Sequence, residues 1–150
     1  MKAQTQYTAA RVLNTLRGIT MVAPEEVFVA LFVGEPCGEP CQNEVEDPGY
    51  ERATILGPCT MTIANAWTMP EVVEPEYEGQ EPLPTDMFIE NTQRMLFGPL
   101  ENEAVTVTHF GIFDAKEDGN LLYVGQFDEP RFIDVDEMAS VNPGGIRVIY

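Results

Sequence analysis

The sequence is poor in positive charge, in cysteine and in long apolar runs. Eight Lys and Arg residues stand against 25 Asp and Glu residues in a chain of 150, for a formal net charge of −17. Nucleic-acid-binding proteins need a basic surface to neutralise phosphates. Here the Arg residues are scattered singly from Arg11 to Arg147. The long-range field therefore repels DNA, RNA and anionic lipid, and we expect neither nucleic-acid nor membrane binding.

No apolar run approaches the roughly 20 residues that span a bilayer. Residues 1–18 also lack the charged start, apolar middle and small-residue cleavage site of a secretory signal. We therefore expect synthesis in a cytoplasm. The length fits one domain, which at this size buries roughly 68–70% of its unfolded surface without needing disulfides or metals.

The three cysteines, Cys37, Cys41 and Cys59, cannot all pair within one chain. A disulfide between Cys37 and Cys41 is a candidate, and the odd count makes an inter-subunit disulfide a second one. Zinc ligation is the third alternative, with His109 completing the set. It is disfavoured because structural zinc sites usually show two close ligand pairs and only one is present. Free thiols remain the simplest interpretation.

The chain also lacks the motifs of common enzymes. It contains no G-x-S-x-G, H-E-x-x-H or phosphate-binding-loop pattern. His109 is the only histidine, and its place in an alternating strand favours a packed, hydrogen-bonded side chain. We therefore predict no catalytic residue, no metal and no cofactor.

A short helix and many short strands are predicted. Tyr7, Val12, Leu13 and Leu16 lie near helical spacing, so a helix should run from Thr5, which can cap it, to Leu16 before Gly18. Strands are predicted at Val27–Val33, Tyr50–Leu56, Thr60–Trp67, Met87–Glu90, Arg94–Phe97, Val105–Phe113, Leu121–Phe127, Arg131–Val135 and Ile146–Tyr150.

The Val105–Phe113 strand alternates strictly. Alternation would put Val107, His109 and Phe113 on one face and Phe110 and Ile112 on the other. A last turn is expected at residues 142–145 (NPGG).

This pattern predicts a mainly all-β chain, a β-sandwich or jelly-roll-like domain with a short N-terminal helix. We divide it into a helical docking segment, residues 1–18, and a β-sandwich domain, residues 19–150, with long loops at 34–49 and 68–86. The second loop is rich in proline and glutamate, and no Lys or Arg lies between Arg52 and Arg94. Loops this long are usually functional or disordered.

Three segments together resemble a known family. PEEVFVALFVGEP, DPGYERATI and VTVTHFGIFDAKEDGNLLYVGQF occur in this order. They are similar to the helix, "VALF" strand, "GYxR" strand and "VTHFGIFDA…GNLLYxG" hairpin of small bacteriophage tail-fibre virion proteins. The resemblance covers nearly the whole chain, and its most diagnostic stretch runs from Val107 to Gly125. The chain departs from the pattern in its acidic, proline-rich second loop and in its Cys37–Cys41 loop.

The resemblance implies a non-enzymatic structural component of a tailed-phage virion, assembled in the host cytoplasm. The expected role is a tail-fibre, collar, neck or decoration subunit that contacts other virion proteins of the neck, tail or capsid. We expect a homo-oligomer, either a trimer or a higher ring. The helix would dock on an adjacent virion protein or join a bundle at a trimer axis. A receptor- or glycan-binding tip module is the alternative function, and a polysaccharide hydrolase is a more distant one.

Several residues are candidates for contacts. The interface candidates are Tyr7, Arg11, Trp67, Glu74, Glu76, Tyr77 and Glu78. Trp67 is otherwise a core or rim anchor. Tyr50 and Arg52 lie on one strand face, and Arg52 is expected to pair with a neighbouring loop. The cluster Asp114, Glu117, Asp118 and Asn120 resembles a loose calcium loop, but a type I turn with a left-handed Gly119 explains it better.

Overall fold

The described part of the chain forms one short helix and ten strands. The computed structural model describes residues 4–38, 41–54, 66–74, 78–79 and 87–149. The elements are α1 (Gln6–Thr15), β1 (Phe28–Cys37), β2 (Gln42–Glu44), β3 (Ala53–Thr54), β4 (Glu71–Val72), β5 (Met87–Glu90), β6 (Met95–Pro99), β7 (Val105–Phe113), β8 (Leu121–Ile133), β9 (Met138–Val141) and β10 (Arg147–Ile149).

The helix begins and ends where the sequence predicts. Thr5 caps α1, with its hydroxyl oxygen accepting from the Thr8 N–H, and Gly18 reverses the chain at φ +80°. Thr5 and Thr8 also fasten the first turn to the body: their hydroxyls donate to the backbone carbonyl of Leu122 at 3.0 and 2.7 Å. Thr8 is the one buried residue of α1. The helix is therefore held at its N-terminal end.

The largest sheet is antiparallel and centred on β1 and β7. Its order is β2-β1-β7-β8, and β3 pairs with β1 along the edge that β2 also uses. Residues Phe28 to Phe32 of β1, the apolar run, are buried, as expected for a strand covered on both faces. β1 continues to Cys37 and then pairs with β2. The predicted loop at 34–49 therefore contains a β-hairpin.

The strict alternation predicted for β7 is wrong in its N-terminal half. Val107 packs in the same core cluster as Phe110 and Ile112, although alternation would place it on the opposite face from them. Phe113, which was expected on the face of Val107, packs in a separate cluster. The register with β8 shifts between Val107 and His109, where four residues of β8 lie opposite one of β7. This bulge interrupts the alternation and re-aims the side chains. The two strands predicted at Leu121–Phe127 and Arg131–Val135 are joined in the structure as the single strand β8.

Two smaller antiparallel sheets complete the described fold: β10-β5-β4 and β6-β9. Strands β4 and β9 and hairpin strand β2 were not predicted, because their few residues carry little hydrophobic periodicity. Most of the predicted Thr60–Trp67 strand, and the centre of the 68–86 loop, lie outside the described residues. Trp67 itself forms an isolated antiparallel bridge with Asn91.

Asn91 is a buried polar side chain that joins β5 to the last turn. Its side-chain N–H groups donate to the carbonyls of Gln93 (2.8 Å) and Asn142 (3.0 Å). Its side-chain oxygen accepts from the N–H of the fully buried Ile146 at 2.8 Å. The predicted turn at residues 142–145 is present, with Gly145 N–H donating to the Asn142 carbonyl. One amide thus satisfies three backbone groups, of which the N–H of Ile146 is fully buried.

Strands of all three sheets contribute to one main core. It includes Val29 and Leu31 of β1, Phe97 of β6, Val141 of β9 and Val148 of β10. Ala30, Phe32 and Phe113 form a second cluster. The all-β class with a short helix is confirmed, whereas the sandwich or jelly-roll arrangement stays a prediction. Among the described residues no helix is long and apolar enough to cross a membrane.

Candidate assembly surface

The polar centre of the molecule is built around Arg52, just before β3. Its guanidinium makes two hydrogen bonds to Glu44: Nε to Oε1 at 2.8 Å and Nη2 to Oε2 at 2.7 Å. The Arg52 side chain is only 8% exposed. Although burial disfavours its charge, the hydrogen bond and the charge of Glu44 raise the pKa of Arg52 above its ordinary value. A buried, bidentate pair of this kind is a structural cross-link.

Arg52 also holds the loop between β7 and β8. Its Nη1 donates to the carbonyls of Ala115 and Asp118 at 3.1 and 2.7 Å, and its guanidinium carbon lies 3.6 Å from the centre of the Phe113 ring. The expected pairing with a neighbouring loop is therefore confirmed. The "GYxR" and hairpin segments, distant in sequence, meet at this residue.

Tyr50, two residues before Arg52 in the segment that leads into β3, completes the cluster. Its hydroxyl donates to Glu44 Oε1 at 3.2 Å and accepts from the Leu31 N–H at 2.9 Å. Burial, followed by the nearby Glu44 carboxylate, raises the pKa of Tyr50 above its ordinary value. The phenol is thus held neutral as a bridge between β1 and β2.

Asp47 fixes the connection between β2 and β3 a few residues before Tyr50 and Arg52. Its carboxylate accepts backbone hydrogen bonds from Gly49, Glu101 and Asn102 at 2.8–2.9 Å. Desolvation would raise the pKa of Asp47, but the backbone donors outweigh it and lower the pKa. Gly49 is required here, because a Cβ at this position would lie 2.0 Å from the carbonyl oxygen of Pro99.

The acidic loop between β7 and β8 is tied together by its own side chains. Asp114 accepts from the backbone and side-chain N–H groups of Asn120 at 2.7 and 2.9 Å. Gly119 is left-handed as predicted (φ +75°), and the left-handed stretch begins one residue earlier, at Asp118 (φ +51°). These bonds account for Asp114 and Asn120, two of the four residues that resemble a calcium loop.

His109 is half-buried in β7. Its Nδ1 lies 2.8 Å from the Thr108 hydroxyl, and its Cα partners are Phe32 and Gln126. The prediction of a packed, hydrogen-bonded histidine is confirmed. Among the described residues no His, Cys, Asp and Glu side chains form a group of three that could hold a metal ion.

Cys37 and Cys41 flank the turn between β1 and β2, and both are free thiols. Cys37 is exposed, whereas Cys41 is partly buried against the second core cluster. Burial, then the charges of Glu44 and Cys37, raises the pKa of the Cys41 thiol. Cys59 lies outside the described residues. The intra- and inter-chain disulfides both stay predictions.

Several exposed apolar side chains lie at the end of α1 and in the segment just after it. Leu16 is 86% exposed and Val22 71%, and Leu13 and Ile19 are also exposed. Tyr7 is exposed too, and the Arg11 guanidinium lies over its ring at 5.5 Å. Apolar side chains left uncovered together mark a surface that contacts another molecule.

An apolar groove of about 570 Å³ lies beside this segment. Arg11, Met21 and Pro24 line it on the helix side, and Trp67 and Met87 line it from the body. Trp67 is half-buried and packs against the main core, as a rim anchor does. Glu74 and Glu78 are exposed, and Glu76 and Tyr77 lie outside the described residues.

The family model of the "Podophage GP4 fiber I protein gp80" matches residues 3–149. The chain belongs to this family. The resemblance seen in the sequence is therefore confirmed, and the protein is a phage fibre protein of the virion that associates with other virion proteins. No curated protein matches the chain.

The diagnostic segments of the sequence coincide with the structural centre of the protein. Arg52 contacts Phe113 and the 114–120 loop, and Tyr50 joins them through Glu44, which both residues bind. Three key residues escaped sequence reasoning: Glu44, Asp47 and Asn91. In so acidic a chain nothing in the sequence distinguishes Glu44 from other glutamates. The Asp47-Pro-Gly sequence was a usable turn signal for Asp47.

Proposed function

We propose that this protein is a non-enzymatic subunit that works through assembly. The family match over residues 3–149 carries the proposal, because it assigns the described body to a fibre protein. The work of the subunit is to place binding surfaces, not to transform a substrate. Its position is at the fibre, collar or neck, and it is assembled in the host cytoplasm before incorporation.

The commitment of the polar side chains supports a structural role. Arg52, Glu44, Tyr50, Asp47 and Asn91 are each engaged in bonds that cross-link strands and loops. The buried Arg52–Glu44 pair and the neutral Tyr50 phenol serve packing, and His109 is bonded to Thr108. These bonds make the side chains cross-links of the fold, as a structural role requires.

Self-association is part of the same proposal. The apolar side chains exposed after α1 are better explained by a covered surface in the assembled virion than by a free subunit. The net charge of −17 then keeps free subunits soluble until they assemble.

The test is a phage carrying a nonsense codon in this reading frame. The account expects particles that lack fibre or neck density in electron micrographs and adsorb poorly, with both defects restored by the wild-type gene in trans. Particles that are intact and infectious without the protein would refute the proposal.

A polar groove beside the β8 bulge favours receptor recognition as a second candidate. The groove, about 590 Å³, is lined by Gln126, Asp128 and Arg131. The Arg131 guanidinium lies over the Phe127 ring at 4.6 Å. The Arg131 guanidinium covers the buried Phe127 ring, so the hydrogen-bonding side chains of the groove would make the contacts to a sugar. A glycan array decides: binding that Arg131→Ala abolishes supports this function, and an empty array removes it.

A further inference from the structure

The first 24 residues differ in charge from the rest of the chain. They contain Lys2, Arg11 and Arg17 and no Asp or Glu, a formal charge of +3. Because the whole chain carries −17, the remaining 126 residues carry −20. We call residues 1–24 the basic arm. A cationic segment on a strongly anionic body has an electrostatic partner in every other copy of the same chain.

The basic arm also presents apolar surface. Leu13, Leu16, Ile19 and Val22 are exposed, and the described part of the arm is fastened to the body through its first turn, at Thr5 and Thr8. Arg11 is engaged within the arm, donating to the Val22 carbonyl. Arg17 is exposed, and its guanidinium donates to the Asn14 side chain one helical turn away at 3.0 Å. Of the two described cations of the arm, Arg17 is therefore the one available to a partner.

A surface of opposite character lies at Met69–Glu74, which we call the acidic edge. Met69 is 83% exposed and Val72 half exposed, and Glu71 and Glu74 between and beside them are exposed as well. The segment includes β4, the outer strand of its sheet, which pairs with β5 on one side. The acidic edge therefore offers apolar contact to the exposed apolar side chains of the arm and carboxylates to its positive charge.

Contact within one chain does not use this match. Among the described residues the three ion pairs join Arg52 to Glu44, Lys116 to Glu51 and Arg147 to Glu90. None connects the basic arm with the acidic edge. A bundle of arms alone is disfavoured, because it would bring like charges together. Both surfaces border the same apolar groove, so two copies can exchange arms reciprocally.

We infer that the basic arm of one copy packs on the acidic edge of a second copy of this chain. Leu13, Leu16 and Val22 supply the apolar contact, and Arg17 faces Glu71 and Glu74 across the interface. The inference deepens the self-association part of the proposed function by naming the two surfaces. It also explains why the helix is anchored at one end and uncovered at the other.

A charge-swap series on the full chain, followed by sedimentation velocity, tests the inference. Arg17→Glu should raise the dissociation constant for self-association about tenfold or more. The control Arg94→Glu makes the same charge change at an exposed site on the body and should shift it less than about threefold. The double variant Arg17→Glu/Glu74→Arg should recover part of the lost association, because positions 17 and 74 again carry opposite charges while Glu71 is unchanged.

The apolar part has its own pair of variants. Leu16→Asp should abolish association, and Leu96→Asp, at a 51% exposed leucine of β6, should leave it intact. Unfolding curves confirm that each variant is folded. A wild type that is monomeric at all concentrations, equal effects of Arg17→Glu and Arg94→Glu, or a double variant no better than Arg17→Glu would each overturn the inference. So would a monomer that instead binds anionic lipid vesicles through Arg17.

Failure here and failure of the fibre role are distinguishable. The presence of the chain in purified virions is measured without reference to self-association. A virion protein that stays monomeric in solution refutes the contact between arm and edge and leaves the structural role standing.

Discussion

Removing the Asn91 side chain should destabilise the protein far more than its size suggests. Asn91→Ala deletes three hydrogen bonds: two to the carbonyls of Gln93 and Asn142, and one from the N–H of Ile146. Ile146 is fully buried, so water cannot reach its N–H without opening the turn. The variant therefore strands a buried donor and loosens the link between β5 and β10.

The magnitude follows from the cost of unsatisfied groups. A buried donor left without a partner costs about 1–3 kcal/mol, and losing the two carbonyl contacts adds roughly 1 kcal/mol in total. The expected loss is about 2–4 kcal/mol in the free energy of unfolding. For a domain of this size that corresponds to a fall of roughly 4–16 °C in Tm.

Urea unfolding monitored by circular dichroism measures the loss directly. Asn102→Ala is the matched control, because Asn102 is exposed and only its backbone N–H is engaged, with Asp47. It should change the free energy of unfolding by less than about 0.5 kcal/mol. Equal stability of the two variants would show that the Asn91 amide does not hold the turn. It would refute the argument that a buried N–H left without an acceptor destabilises the fold.

Three further predictions concern other parts of the molecule. Because the pKa of Asp47 is lowered in the fold, its carboxylate stabilises the protein above the unfolded pKa of about 3.9, and this stabilisation is lost as pH falls through the folded value. Asp47→Asn should therefore reduce the loss of stability at acid pH in a pH–stability curve. An unchanged acid limb of that curve would contradict this. Cys37 should react with iodoacetamide faster than Cys41, because the raised pKa of Cys41 lowers its thiolate fraction and its partial burial limits access to the sulfur. Peptide mass spectrometry measures the two alkylation rates, and faster alkylation of Cys41 would refute the prediction. Gly49→Ala should cost several kcal/mol because its Cβ would meet a backbone oxygen at 2.0 Å, whereas Gly34→Ala, whose nearest neighbour is a side chain at 3.6 Å, should be nearly neutral in the same thermal melts.

Sequence reasoning located the strong elements because their signals are local. The capping Thr5 and the left-handed Gly18 bound α1 within a residue of the predicted limits, and Met87–Glu90 and Val105–Phe113 were predicted with their observed ends. Alternation and caps depend on neighbours in the chain, so they can be read without knowing the fold.

The misses have a tertiary origin. The bulge opposite Thr108 arises from the pairing of β7 with β8, and no residue type in β7 predicts it from the sequence. The short strands β2 and β4 exist because a longer strand offers a free edge, not because their own residues favour extension. Glu44 and Asn91 become important only when the fold brings Arg52 and Ile146 to them.

The most direct test of the central claim is quantitative mass spectrometry of purified virions, with the copies of this chain measured against the portal protein. The account predicts that the chain is a stoichiometric component, at the few to few dozen copies expected of a fibre, collar or neck subunit. Hundreds of copies would assign it to head decoration or a tail coat. Absence from the particle would contradict the account.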